Sequence, residues 1–75
     1  MNNVIIAQSS LTYAYHGRDI LSMAGIPCSI VRLSEGSTRR GCGYGLSLPS
    51  AQLNRALSLL HEKNAFVGEV LHMGK

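Results

Sequence analysis

Two segments with helical periodicity, each enclosed by short apolar runs, are the feature that most constrains the fold of this chain. Short runs rich in β-branched residues are typical of strands, whereas apolar residues that recur every three or four positions are typical of a helix. The chain has 75 residues, which is enough for one domain and too few for two. We therefore expect a single domain over residues 1–75, with strands at residues 4–7, 28–33, 43–48 and 66–73 and helices at residues 11–24 and 51–63.

The boundaries of the first helix are marked by residues that cap or end a helix. Ser9 or Ser10 supplies a hydroxyl at its start, and Gly25 with Pro27 ends it. Gly17 lies inside this helix, where glycine costs about 1 kcal/mol relative to alanine. Its presence indicates that another part of the chain packs closely against it.

The second helix has the clearest amphipathic pattern in the chain, because its apolar residues fall on one stripe. That stripe consists of Leu53, Ala56, Leu57 and Leu60. Pro49 ends the third strand, Ser50 is predicted to cap the helix, and Asn64 ends it. The order β-α-β-β-α-β predicts a ferredoxin-like α/β fold, in which a four-stranded antiparallel sheet carries both helices on one face.

Composition and charge disfavour several classes of protein. Hydrophobic residues make up 45% and charged residues 15% of the chain, which lies in the globular range. The net charge of +3 is concentrated in Arg39 and Arg40 without a basic stripe, which disfavours a nucleic-acid-binding role. The start of the chain lacks the pattern of a signal peptide, and no run approaches the roughly 20 apolar residues that cross a bilayer. We expect a soluble, cytoplasmic protein without a membrane partner.

The two cysteines are expected to be free thiols with different roles. Two cysteines in a cytoplasmic chain, without a CxxC motif or a Cys/His cluster, predict neither a disulfide framework nor a metal site. Cys28 begins the second strand and Cys42 ends the loop before the third strand, at opposite ends of the predicted sheet, and a strand spans roughly 17–20 Å. We therefore expect no disulfide between them, and we expect Cys28 to belong to the core.

Cys42 is the candidate functional residue. In the predicted fold the end of the first strand lies beside the start of the third, so Cys42 approaches Gln8, Ser9 and Ser10, which form the N-terminus of the first helix. The unpaired N–H groups of that terminus favour an anion, and Arg39 and Arg40 add positive charge. Both effects lower the pKa of a thiol and increase the fraction of reactive thiolate at neutral pH.

Gly41 and Gly43 flank Cys42 and allow two interpretations. They leave the backbone around the sulfur free of side chains, which suits transfer of a group to a second protein. They equally permit a positive φ in a hairpin, which needs no function. Cys42 itself has a structural alternative, because free cysteine often packs as a small buried hydrophobic residue.

The other polar residues give weaker indications of chemistry. His16 is either a catalytic group or a helix residue that faces solvent or bonds to a neighbouring strand, and His61 and His72 are expected on the surface. Four dispersed acidic residues, without a phosphate loop or a Ser/His/Asp arrangement, disfavour a hydrolytic or phosphoryl-transfer enzyme.

The segment RRGCGYGL at residues 39–46, preceded by AGIP at residues 24–27, resembles a family of small bacterial proteins, the selenium/sulfur carrier-like proteins. The resemblance extends from Val4 to about Val70, and its most specific element is the Cys-Gly pair after an Arg- and Ser-containing loop. It implies that Cys42 corresponds to the family's cysteine, which is proposed to carry sulfur or selenium as a persulfide or selenopersulfide. The family's own function is not established.

Two functions are therefore open. In the first, the protein is a carrier in a protein relay rather than a stand-alone enzyme, and sulfur or selenium donor and acceptor proteins are its partners. Cys42 then accepts the atom, Arg39 and Arg40 stabilise the thiolate or persulfide, and no cofactor is needed. In the second, the domain is a non-catalytic interaction module or binds an anionic ligand through its arginine loop. Exposed strand edges also allow two chains to pair as a homodimer.

Overall fold

The computed structural model describes residues 2–34 and 43–72 of the chain. These ranges contain β1 (Asn3–Gln8), α1 (Leu11–Met23), β2 (Ser29–Arg32), β3 (Tyr44–Pro49), a 3₁₀ turn (Ser50–Gln52), α2 (Leu53–Glu62) and β4 (Val70–His72). The order of strands and helices is β-α-β-β-α-β, which confirms the order predicted from the sequence.

The four strands form one antiparallel sheet in the order β2-β3-β1-β4. The central strands β1 and β3 pair along their whole length, from Asn3 opposite Pro49 to Gln8 opposite Tyr44. β2 pairs with β3 through four residues and β4 pairs with β1 through three. This strand order with two helices confirms the predicted ferredoxin-like α/β fold.

The core lies between the sheet and the two helices, because alternate residues of the central strands are apolar and point to the same side. Val4 and Ile6 of β1 and Leu46 and Leu48 of β3 are at most 1% exposed. Their buried neighbours from the helices are Ala14 and Leu21 of α1 and Ala56 and Leu60 of α2. Both helices therefore cover the same face of the sheet, as predicted, and the apolar stripe of α2 faces the core.

α1 packs closely against the sheet at Gly17. A Cβ atom at this position would lie 2.8 Å from Cδ1 of Leu46 and 3.7 Å from Cδ2 of Leu60. The first distance is well below the 3.5–4.0 Å that two carbon atoms prefer. The inference from the sequence that something packs closely against Gly17 is confirmed.

Both helices end in the same backbone motif. Gly25 has a φ of 81°, and the amides of Gly25 and Ile26 donate to the carbonyls of Ser22 and Leu21 at 3.0 and 2.9 Å. This pair of bonds is a Schellman motif, which satisfies carbonyls that the last turn leaves free. Asn64, with a φ of 57°, closes α2 in the same way. The predicted helix ends are therefore confirmed.

α2 begins differently from the prediction that Ser50 caps it. Ser50 belongs to the 3₁₀ turn, and neither Pro49 before this turn nor Gln52 before α2 makes a side-chain capping hydrogen bond. The amide of Ser50 donates instead to the carbonyl of Asn2 at 3.1 Å, and the carbonyl of Ser50 accepts from the amide of Leu53. Backbone bonds of a tight turn thus replace the side-chain cap.

β4 is shorter than predicted, because it begins at Val70 rather than at Phe66. The preceding segment bonds to the sheet irregularly: the amide of Gly68 donates to the carbonyl of Ala7 at 3.1 Å. A side chain at Gly68 would collide with that carbonyl oxygen. The ring of Phe66 stacks on Tyr13 of α1, with ring centroids 5.2 Å apart and planes inclined by 8°. Phe66 therefore packs on α1 and does not belong to β4.

Candidate functional site

Most of the candidate functional residues lie in sequence between β2 and β3, and the others, Ser9 and Ser10, lie between β1 and α1. The structure describes part of this set. Arg39, Arg40, Gly41 and Cys42 lie outside the described residues. Ser9, Ser10 and Gly43 are described, and they lie at one end of the sheet.

That end of the sheet is where β1 finishes and β3 begins. Tyr44 is the Cα partner of Gln8 on one side and of Arg32 on the other, and we call these three residues the Tyr44 row. The ladder continues one residue further, because the amide of Leu33 donates to the carbonyl of Gly43 at 2.9 Å. The predicted meeting of the end of the first strand with the start of the third is confirmed.

The N-terminus of α1 follows directly after this row. Ser10 is the N-cap, because its Oγ accepts a hydrogen bond from the amide of Tyr13 at 3.2 Å. Ser9 is exposed. The first turn of α1 contains no acidic residue, so the partial positive charge of the helix terminus is not neutralised from within the helix. Ser10 is thus a structural cap at a terminus that favours an anion.

Gln8, which the predicted topology places near Cys42, is a buried polar residue. Its side chain is 0% exposed, its Nε2 donates to the carbonyl of Phe66 at 3.3 Å, and its Oε1 has no hydrogen-bond partner among the described residues. A buried acceptor without a partner costs about 1–3 kcal/mol. The alternation of the strand predicts that Gln8 is buried, because Gln8 follows Val4 and Ile6 on the side of β1 that faces the core.

Arg32 is the charged member of the Tyr44 row. Its guanidinium carbon lies 5.9 Å from the centroid of the Tyr44 ring, which is a cation–π distance. Within residues 2–34 and 43–72, Arg18 forms an ion pair with Asp19. The sequence does not reveal this position, because the register that brings Arg32 to Tyr44 is a long-range property of the sheet.

Cys28 immediately precedes β2, at the opposite end of that strand from Arg32. It is a free thiol, half-buried, and it packs against the core as predicted. Burial raises the pKa of the Cys28 thiol to about 11, and the positive charge of Arg18 offsets only part of this effect. Because a thiol is a weak nucleophile compared with its thiolate, we expect Cys28 to react slowly at neutral pH.

A shallow groove of about 410 Å³ lies on the sheet face opposite the helices. Its apolar lining comes from Ile5, Val31, Leu33 and Leu71, and Arg32 is its one ionisable lining residue. The side chain of Ile5 occupies the space that a side chain at Gly45 would need. The groove therefore presents mainly apolar surface and has no cluster of cationic groups to hold an anion.

The three histidines lie on separate elements and are exposed: His16 on α1, His61 on α2 and His72 on β4. In the described part of the chain, no three side chains of His, Cys, Asp or Glu lie close enough together to hold a metal ion.

None of the helices in the described ranges has the length and apolar character needed to cross a membrane. The chain was also compared with models of protein families, with curated proteins and with solved structures, and nothing matches in any of the three comparisons.

Proposed function

We propose that this protein is a sulfur or selenium carrier, in which the thiolate of Cys42 accepts a chalcogen atom and passes it to a second protein. The observation that supports this most is the register of the Tyr44 row, because Gly43 and Tyr44 directly follow Cys42 in the chain. Covalent geometry keeps the Cα atom of Cys42 about 3.8 Å from that of Gly43. The thiol is therefore tethered to the end of the sheet where α1 begins.

The groups at this end of the sheet favour an anion. The N-terminus of a 13-residue helix lies there with no acid in its first turn, and Arg32 adds a positive charge from β2. Arg39 and Arg40 precede Cys42 by three and two residues in the sequence. A helix terminus and nearby cations are the surroundings that lower the pKa of a cysteine.

The transfer step needs a thiolate and a partner that can exchange. The Cys42 thiolate attacks the outer sulfur of a donor persulfide, donor–S–S–H, and forms a new S–S bond. The S–S bond of the donor breaks, and the donor leaves as a thiolate while the hydrogen stays on the transferred sulfur. Atoms and charge balance without an external oxidant, and a thiolate of the acceptor protein takes the sulfur from Cys42 in the same way. Selenium replaces the outer sulfur without changing this balance.

The experiment is a pH series of cysteine alkylation, read by mass spectrometry before and after exposure to a small persulfide donor. We expect Cys42 to react with a midpoint below about 8.5, the ordinary value for a thiol, and to gain the mass of one sulfur atom. Cys28 should react only as the pH approaches its pKa of about 11, so it serves as a reference in the same molecule.

Two single variants separate the thiols. Cys28→Ser should keep the uptake of sulfur, whereas Cys42→Ser should abolish it. If Cys42 reacts only at high pH and gains no sulfur, the carrier proposal is wrong. The domain is then better explained as a non-catalytic interaction or anion-binding module.

A further inference from the structure

We infer that the face of the sheet opposite the helices binds a second copy of this chain, so that two sheets stack face to face in a symmetric dimer. The inference goes beyond the carrier function and does not depend on it. It places the contact on the open face of the sheet rather than on the edges of its outer strands.

The strand residues that point away from the helices carry no charge. In an antiparallel sheet with one solvated face, polar side chains normally alternate with the buried ones. The apolar or glycine residues of the open face are Ile5, Ala7, Val31, Gly45 and Leu71, and its other strand positions are Asn, Ser or Pro. Charged groups stand at its border: Glu69 immediately precedes β4, and the guanidinium of Arg32 lies over Tyr44, on the helix side of the sheet.

The apolar side chains of this face form one continuous patch, which is centred on Gly45. A Cβ atom at Gly45 would collide with Ile5 of β1 and would lie 3.5 Å from both Cδ1 of Leu33 and Cγ2 of Val31. On the other side of β1, Leu71 is the Cα partner of Ile5. Side chains from all parts of the sheet therefore converge over a position that has no side chain of its own, and they leave the shallow groove between them.

A second copy of the chain is the partner that such a face fits. In a two-fold dimer the same surface meets itself, so every charged group near the axis would meet its own sign. A face whose strand residues are neutral, with its charges at the border, avoids this repulsion. It also has the apolar centre and polar rim that are typical of protein interfaces.

The size of the face is also sufficient for a stable dimer. The molecule measures 30 × 27 × 16 Å, and its shortest dimension corresponds to the two layers of sheet and helices. The broad side thus has an area of about 800 Å², which is about what each partner buries in a standard interface. Two sheets packed in this way lie about 10 Å apart.

A small ligand fits this surface less well than a second sheet does. Ligand pockets enclose about 70–90% of the surface of the molecule they bind, and they place a few polar groups to orient it. The groove of about 410 Å³ is a shallow depression in an open face. A flat partner covers it more completely than a compact molecule could.

The test is the mass of the protein in solution, measured by size-exclusion chromatography with light scattering. Interfaces of this size have dissociation constants of about 1 µM or tighter, so the wild type at about 100 µM should have twice the chain mass of 8.1 kDa. Ser47→Arg adds a charge to the open face on the central strand β3, and Val31→Glu adds one to the apolar patch. Both variants should have the mass of a monomer at this concentration.

Two variants on the helix side make the same changes in charge and serve as matched controls. Met23→Glu changes a residue of α1 that is 89% exposed, and Ser58→Arg changes an exposed residue of α2. Both should remain dimeric. Circular dichroism verifies that each variant is folded, and Ser47→Arg decides the result if Val31→Glu fails to fold, because it removes no apolar contact.

Three results would overturn the inference. A wild type with the mass of a monomer at about 100 µM means that this face does not hold a second copy. A dimer that survives Ser47→Arg uses another surface, such as the strand edges. Equal dissociation in Ser58→Arg and Ser47→Arg would show an effect of net charge rather than of the open face.

Discussion

Gly17 determines how closely α1 can approach the sheet. In Gly17→Ala, the better helix propensity of alanine contributes about 1 kcal/mol, but the new methyl group meets Cδ1 of Leu46, which is fully buried. Overpacking a core costs about 1–3 kcal/mol, so we expect a net loss of about 1 kcal/mol in the free energy of unfolding. Urea denaturation measures it.

The control for this variant is Ser22→Ala, which lies on the exposed side of the same helix. It gains helix propensity without a new core contact, so it should stabilise the protein by a few tenths of a kcal/mol. If Gly17→Ala stabilises the protein as much as Ser22→Ala does, Leu46 moves aside freely and the packing argument is wrong.

Single residues differ in how far the sequence reveals their role. Gly17 can be interpreted because a glycine inside a helix is unfavourable unless a close contact requires it. The burial of Gln8 depends on Phe66, which lies 58 positions further along the chain. The place of Arg32 depends on the register of β2 against β3. The alternation of β1 indicates that Gln8 faces the core, but neither its bond to Phe66 nor the pairing of Arg32 with Tyr44 is visible in a local pattern.

The ends of the two helices allow a test at the level of whole elements. Gly25→Ala should lower the free energy of unfolding by about 1 kcal/mol, because alanine is unfavourable at a φ of 81°. A Cβ atom there meets no described atom within 4 Å, so the loss of stability reports backbone conformation alone.

Asn64→Gly makes the reverse change at a φ of 57° and should stabilise the protein slightly. Thermal unfolding followed by circular dichroism measures both.

The two variants are informative together because the free energy of unfolding should fall in Gly25→Ala and rise in Asn64→Gly. If Gly25→Ala has no effect, the end of α1 adjusts without loss, and the Schellman motif does not determine where this helix stops. A loss of stability in Asn64→Gly would show that the asparagine side chain contributes more than the backbone argument allows.

The sequence predicts element boundaries that depend on neighbouring residues. It does not predict the boundaries that depend on distant contacts. The apolar stripe of α2 and the residues that end each helix act within one or two turns. The start of α2 depends on a bond from Ser50 to Asn2, and the start of β4 depends on contacts of Phe66 and Gly68 with α1 and β1. The candidate site falls between these cases, because topology predicted the neighbours of Gly43 while the segment that carries Cys42 lies outside the described residues.

For the molecule as a whole, the sheet should open from β4 inward. β1 is paired on both sides, whereas β4 lies at an edge of the described sheet and contributes three residues. Amide hydrogen exchange measured by mass spectrometry should therefore show faster exchange in Val70–His72 than in β1. Equal protection of both strands would mean that the sheet opens only when the whole domain unfolds.

The pairing of β1 with β3 affects how far the length of the chain between β2 and β3 can vary. β1 and β3 pair residues that are about half the chain apart, so forming this ladder closes a large loop that includes α1, β2 and the residues before Cys42. The entropy lost on closing a loop grows only with the logarithm of its length, and each doubling costs about 0.6 kcal/mol. Insertions or deletions of a few residues between β2 and β3 therefore leave the fold almost as stable. The length of the chain between β2 and β3 can therefore change without rebuilding the sheet.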